Sequence, residues 1–321
     1  MARLWSAAPS SPYQQPNSFI QQATRLADEL PAFIRQALQR FRLHGNQDGA
    51  LLFRGLPCDS VLPATPVNGQ AAGKQSFDSE YCLATFAAHL GEIIGYRQEK
   101  HGALFHDMTP SAAQEHVQSS EGSRVQLEMH TERCFHPHLP DYLLLLCLRP
   151  DHTRQAATCY ASVRRLRPLL SPSDYLALFA PEFRTGIDYS FGNLTTEKAN
   201  GPVLSVLYGD PADPCMRYDL DLMEGLTARA RSALAALAQL LPSITEQVCL
   251  DSGDLLVLDN RRVVHGRRAF SARYDGRDRW LQRVYVVSDL AASAADREPG
   301  SRVITTDFSG ALPAAAGEAA G

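Results

Sequence analysis

The sequence predicts a mainly β fold, a double-stranded β-helix or jelly roll buttressed by α-helices. Three observations predict it. Short apolar runs separated by turn residues recur along the chain, helical spacing is confined to the N-terminal portion and two insertions, and the pattern from Glu246 onward is strand, turn, strand, turn, strand. At 321 residues, with 45% hydrophobic and 21% charged side chains, the chain is long enough to bury a core without covalent staples.

Apolar positions at helical spacing (Ile20, Ala23, Leu26, Leu30, Phe33, Ile34, Ala37, Phe41) are interrupted by Pro31, which predicts two short amphipathic helices between Phe19 and Leu43. Ala50 to Phe53 reads as a strand ending near Gly55, and a Pro/Gly-rich loop runs from Pro57 to Gly73. Phe77 to Gly95 reads as one helix, with Asp78 or Ser79 as N-cap and Glu80 in its first turn. Tyr142 to Leu148 is an aliphatic run too short to span a bilayer and fits a buried strand. Two helical insertions are expected near residues 171–183, where Ser171 caps and Pro172 starts the helix, and near 223–241. Residues 1–17 read as a flexible N-terminus, 18–309 as a single domain, and 310–321 as a disordered Ala/Gly-rich tail.

Composition excludes several classes. A net charge of -4, from 31 basic against 35 acidic residues, leaves no footprint for nucleic acid, and Arg261-Arg262 and Arg267-Arg268 read as a solvated edge. The N-terminus lacks the apolar run of a secretory signal. Seven cysteines, widely spaced and without a C-x-x-C pair, argue against a disulfide framework or a zinc ribbon. A cytoplasmic protein without membrane or nucleic-acid partners is expected.

The chemistry is carried by Val125-Gln-Leu-Glu-Met-His-Thr-Glu132. Read as a strand, it places Gln126, Glu128, His130 and Glu132 on one face, so His130 and Glu132 can reach one metal ion together. Alone, H-x-E reads more readily as a polar face on an exposed strand, with His265 as a satisfied loop histidine. His265, in Leu255-Leu-Val-Leu-Asp-Asn-Arg-Arg-Val-Val-His-Gly-Arg267, offers a third ligand. Two histidines and one carboxylate leave half an octahedral sphere open, which suits non-haem Fe(II). Arg279, Leu281, Arg283 and Tyr285 alternate along the last strand, and a buried arginine there without an anionic partner would be costly, which argues for a ligand.

Two blocks add context. Met129-His-Thr-Glu-Arg-Cys-Phe-His-Pro-His-Leu-Pro-Asp-Tyr142 with Arg149-Pro-Asp-His-Thr-Arg-Gln-Ala-Ala-Thr158 forms the first. Asp259-Asn-Arg-Arg-Val-Val-His-Gly-Arg-Arg-Ala-Phe270 with Tyr274-Asp-Gly-Arg-Asp-Arg-Trp-Leu-Gln-Arg283 forms the second. In order and spacing, from about Gly45 to Asp289, the chain resembles the clavaminate synthase family of Fe(II)/2-oxoglutarate-dependent oxygenases, which includes asparagine oxygenase and antibiotic-pathway arginine hydroxylases.

The resemblance implies His130, Glu132 and His265 as iron ligands, and Arg279 with Thr158 as the seat of the distal carboxylate of 2-oxoglutarate. It implies Arg283 as receiver of a substrate α-carboxylate, Asp219 and Asp221 as partners of a basic substrate end, and Glu99 and Ser120 as pocket lining. Asp219 and Asp221 would share a face of one extended segment. At Glu99 the chain departs from two members of that family, the arginine hydroxylase carrying an amide there and clavaminate synthase an apolar residue.

The implied reaction consumes 2-oxoglutarate and O2, releases succinate and carbon dioxide, and hydroxylates C3 or C4 of a free L-amino acid with a basic or polar side chain, arginine-like favoured, in secondary-metabolite biosynthesis. Desaturation or ring closure, a carrier-protein-bound substrate, and a jelly-roll zinc hydrolase or ligand-binding protein are the alternatives. Halogenation is disfavoured because Glu132 occupies the position that related halogenases leave small.

Overall fold

The computed structural model describes residues 11–67, 73–188, 191 and 198–308. The stretches expected to be flexible or disordered at 1–10 and 310–321 lie outside these residues; of the rest of the expected N-terminal arm, Tyr13 donates its hydroxyl to Glu80 at 2.7 Å and Pro16 opens a helix.

Helices α1 (Pro16–Ala27) and α2 (Ala32–His44) flank Pro31 as the sequence predicts, and each turns one apolar stripe inward, Phe19, Ile20 and Ala23 on the first and Ile34, Leu38 and Phe41 on the second. Strand β1 (Ala50–Phe53) follows, then α3 (Asp78–Ala87). Neither Asp78 nor Ser79 caps α3. Both donate backbone N–H groups to the Asp59 carboxylate, at 3.1 and 3.3 Å, so the cap comes from a distant loop. The helix also ends earlier than expected, and β2 (Glu92–Tyr96) takes over. Its Ile93-Ile94-Gly95-Tyr96 run is buried on both faces and so carries no strand period, which is why the sequence reads it as a continued helix.

The remaining strands are β3 (His106–Met108), β4 (Leu127–His130), β5 (Tyr142–Arg149), β6 (Thr158–Ser162), the two-residue β7 (Phe183–Arg184), β8 (Val203–Leu204), β9 (Leu207–Tyr208), β10 (Cys215–Met216) and β11 (Glu224–Gly225), then β12 (Glu246–Val248), β13 (Leu255–Asp259), β14 (Val263–Arg267), β15 (Trp280–Val287) and β16 (Val303–Ile304). Helix α4 (Val163–Leu166) follows β6. Helix α5 (Pro172–Leu178) starts where predicted, Ser171 Oγ accepting from the Asp174 N–H at 3.1 Å. Helix α6 (Ala228–Ile244) starts later than expected, because Glu224–Gly225 pairs with β7 and Thr227 is the cap.

Two sheets position the site. The larger runs β1-β13-β5-β15-β2-β16, with β3 also on β15, and the smaller runs β12-β6-β14-β4. Strand β5 shows how the layers form. Tyr142, Leu144, Leu146 and Leu148 join the core shared with α1–α3, while Leu143, Leu145 and Cys147 face the other way with Leu256, Leu258, Leu281 and Tyr285. Behind the smaller sheet, Cys159, Ala161 and Val264 pack with residues of α4, α5 and α6. The architecture is a β sandwich with helices outside, the mainly β jelly-roll class read from the sequence. Among the described residues, no helix is long and apolar enough to cross a membrane.

Candidate active site

A cavity of about 420 Å³ opens between the two sheets, within the range of small-molecule sites. Its lining includes all ten residues singled out from sequence: Glu99, Ser120, His130, Glu132, Thr158, Asp219, Asp221, His265, Arg279 and Arg283.

His130 closes β4 and His265 sits opposite it in register on β14, with ring centroids 4.5 Å apart. The approach of β4 depends on Gly266, where a Cβ would lie 2.4 Å from the Leu127 carbonyl oxygen. The pairing shifts register there, and Leu127 lines the cavity along with Glu128 and His130. The uniform alternation expected over Val125–Glu132 therefore does not hold: the strand ends at His130, and Glu132 lies beyond it. What fixes Glu132 is Asn260, from the β13–β14 turn. Its Oδ1 accepts the Glu132 N–H at 2.9 Å, and its Nδ2 donates to the Glu132 and Pro140 carbonyls at 3.1 and 2.8 Å.

The ligand-capable atoms of His130, Glu132 and His265 lie within 4.8 Å of one another. His130 Nδ1 donates to the Glu128 carbonyl at 2.8 Å, which fixes the tautomer and leaves the Nε2 lone pair free. Burial and neighbouring His130 lower the His265 pKa to about 4, so that ring is neutral at physiological pH. Burial alone would raise the Glu132 carboxyl, but Arg283 and Arg133 outweigh it and hold the group well below the usual carboxylate range. The neutral His265 ring and the ionised Glu132 carboxylate can bind a divalent cation without losing a proton, and the His130 Nε2 points its free position to the same cluster.

Deeper between the sheets, Thr158 pairs with Arg267, and Arg279 precedes β15. Arg279 is 7% exposed and has no hydrogen-bond or ion-pair partner among the described residues. Nearby Asp151 directs its carboxylate to the backbone N–H groups of Thr153, Gln155 and Ala156. Arg267, read from sequence as solvated edge, is instead buried, stacks on Phe270 at 4.9 Å, and leaves Nε and Nη1 without partners; burial and Arg279 lower its pKa to about 9. Arg261 and Arg262, also expected at a solvated edge, are partly buried and pair with Asp259. Arg267 has one donor answered, by the Val125 carbonyl at 3.4 Å, but neither buried guanidinium has an ion-pair partner among the described residues; such a recess favours an arriving anion, and a carboxylate fits the fork geometry. The recess fits the distal end of a 2-oxo diacid.

At the other wall, Arg283 donates to Glu99 at 2.5 Å and to Glu132 at 3.3 Å. Asp219 faces His130 across an isolated bridge, and its Oδ1 accepts the Asp221 and Leu222 N–H groups at 3.0 and 2.9 Å. Asp219 and Asp221 both line the cavity, but from a turn rather than a strand, with Asp221 at the exposed rim. Sequence reading assigned no role to Asn260, Arg133, Arg267 or Tyr285. Their neighbours are distant in the chain, and only the presence of Asn260, Arg133 and Arg267 inside the two motif blocks signalled them.

A β sandwich that gathers two imidazoles and one carboxylate beside unpaired arginines has the form of an iron(II)- and 2-oxoglutarate-dependent oxygenase. The chain belongs to the taurine catabolism dioxygenase TauD, TfdA family, whose profile matches residues 10–178 and 196–285. It is 44% identical to the L-asparagine oxygenase of Streptomyces coelicolor, covering 85% of this chain and 81% of that one. Clavaminate synthase 2 of Streptomyces clavuligerus is 38% identical, covering 89% and 88%. The L-lysine 3-hydroxylase of Catenulispora acidiphila is 37% identical, covering 91% and 82%. An asparagine oxygenase solved with Fe(II), 2S,3S-3-hydroxyasparagine and succinate superposes with a TM-score of 0.87 at 39% identity, over 95% of this chain and 94% of that one. The resemblance read from the motif blocks is borne out, and the enzyme is an Fe(II)/2-oxoglutarate-dependent oxygenase.

Proposed function

We propose that the enzyme hydroxylates C3 or C4 of a free L-amino acid with a basic or polar side chain, an arginine-like one favoured. The observation that carries this reading is the polarity of the cavity, which Arg283 lines beside Glu132 and Asp219 lines beside His130, with Asp221 at the exposed rim. Such a cavity holds a zwitterion extended across the cluster. Relatives named for asparagine and lysine oxidation support it.

In this reading His130, Glu132 and His265 would hold iron, and Arg279, with Thr158, would receive the distal carboxylate of 2-oxoglutarate. Bound iron with 2-oxoglutarate and O2 supplies the oxidising power, the cosubstrate leaving as succinate and carbon dioxide. The chain's own residues supply placement. Arg283 receives the substrate α-carboxylate, Asp219 and Asp221 draw the basic end, and Glu99 and Ser120 close the lining, so that one side-chain carbon is presented to the cluster. We infer a cytoplasmic site of action, supported by seven cysteines that are all free.

The test is succinate release with Fe(II), ascorbate and 2-oxoglutarate across a panel of amino acids, with product masses recorded. Gain of one oxygen atom by a basic or polar amino acid is expected; loss of two hydrogens instead would indicate desaturation or ring closure. No turnover of any amino acid would sink the proposal.

Asp219 gives a pH signature. Burial raises its carboxyl above the usual range, with His130 partly opposing. It therefore takes up a proton earlier on acidification than an ordinary aspartate, and a cationic side chain needs the charged form. KM for a basic substrate should climb as pH falls through this raised value, and Asp219→Asn should raise KM at neutral pH while flattening the profile. Identical profiles for the two proteins would remove Asp219 from the substrate site.

A further inference from the structure

The wall that carries Arg283 holds a second buried guanidinium. Arg133 follows Glu132 directly, has a left-handed backbone (φ 56°), and is 7% exposed. It pairs closely with Glu99 Oε1, reaches Asp188 at 2.6 Å and the Tyr285 hydroxyl at 3.2 Å, and lies 4.9 Å from the centre of the Phe191 ring. Glu99 Oε1 thus receives Arg133, Arg283 and the Tyr285 hydroxyl together, while Glu99 Oε2 is buried with no partner. Arg283 Nε is likewise buried and unpartnered.

The charges decide what this arrangement does. Glu132 belongs to the metal cluster, which leaves Glu99 facing two guanidiniums. Arg133 also answers Asp188, but that carboxylate is 36% exposed and screened by water, so with Arg133 present the buried Glu99 is neutralised without Arg283, whose remaining donors can take an incoming carboxylate. Without Arg133, Arg283 is the one close guanidinium of Glu99 among the described residues, and a substrate carboxylate would have to displace a buried carboxylate from it. We propose that Arg133 is the charge-balancing residue that keeps Arg283 available to the substrate carboxylate, and so tolerates an acid at position 99.

This rests on the amino-acid reading above. The test uses the amino acid that the wild-type enzyme oxidises best in the panel, titrated calorimetrically and without oxygen into protein loaded with Fe(II) and 2-oxoglutarate. Arg133→Met should weaken its binding by about tenfold or more, with KM rising in parallel and 2-oxoglutarate affinity unchanged. The double variant Glu99→Gln/Arg133→Met removes the competitor along with its neutraliser and should recover most of the lost affinity. A merely structural role for Arg133 predicts no such recovery. Arg133→Lys, which keeps the charge, covers the case in which Arg133→Met does not fold, and it should bind close to wild type. The proposal is overturned by unaltered binding in Arg133→Met, by a double variant no better than the single one, or by a Lys variant as weak as Met is expected to be. A wild-type enzyme that oxidises no amino acid overturns the underlying reading as well, whereas activity with equal binding in both proteins overturns this inference alone.

Discussion

Arg279→Met should make the unliganded protein more resistant to heat while destroying its use of 2-oxoglutarate. The guanidinium is 7% exposed, and burial lowers its pKa, with Asp151 opposing only in part and making no ion pair with it. Arg267 crowds the same recess with a second positive charge. Replacing a buried charge that lacks a partner with an apolar side chain of similar length removes a desolvation cost and this repulsion. Because the recess opens to the cavity, the gain is taken as only about 1–2 kcal/mol, a rise of a few degrees in Tm. The cosubstrate reads the same change with the opposite sign. A buried carboxylate that loses its fork partner loses about 2–5 kcal/mol, so KM for 2-oxoglutarate should rise at least about thirtyfold. Melting curves with and without 2-oxoglutarate check both halves: the ligand should raise Tm in wild type and barely move it in the variant. A variant that melts lower without ligand and keeps the wild-type KM would show that Arg279 is an ordinary structural arginine.

This conflict between stability and function is also what made part of the site legible from sequence. An arginine alternating with Leu281 and Tyr285 along an apolar strand contradicts the local pattern, and such contradictions concentrate at functional positions. His130, Glu132 and His265 stood out similarly, as polar residues within or beside strand-like runs. Arg267 and Arg133 did not. Each sits beside other charged residues, where a solvated edge is the ordinary reading, and only tertiary packing buries them. Asn260 lies in the β13–β14 turn, and its second task, holding the backbone at Glu132, requires two distant loops to meet. The fold errors have the same origin. Residues 92–95 read as a continuation of α3 because a strand buried on both faces has no period, and α6 starts later than its sequence pattern suggests because β11 is defined only by its partner β7.

Within the cluster itself, His265→Ala and Glu132→Gln should both abolish turnover, and the metal-free proteins should tell them apart. Structural zinc sites with four protein ligands bind with about 10–16 kcal/mol, roughly 3 kcal/mol per ligand, and on that scale either loss should weaken metal affinity on the order of a hundredfold or more. Without metal, His265 is a neutral ring whose Nε2 lies 3.5 Å from Glu132 and whose Nδ1 has no partner, so its removal costs the fold little. Glu132 is different. It is 4% exposed and takes the Tyr285 hydroxyl at 3.0 Å and Arg283 at 3.3 Å. Neutralising it leaves Arg133 and Arg283 short of one buried negative charge, at a cost of about 3–5 kcal/mol. Because the folded-state pKa of Glu132 is depressed, this contribution is fully present above the ordinary glutamate pKa of about 4.3 and is lost only as pH falls through the lower folded value. The melting difference between wild type and Glu132→Gln should therefore be constant through neutral pH and shrink only in acid. Parallel melting of the two variants at pH 7 would mean that Glu132 serves the metal alone. A His265→Ala enzyme with normal metal content and turnover would remove the third ligand from the cluster.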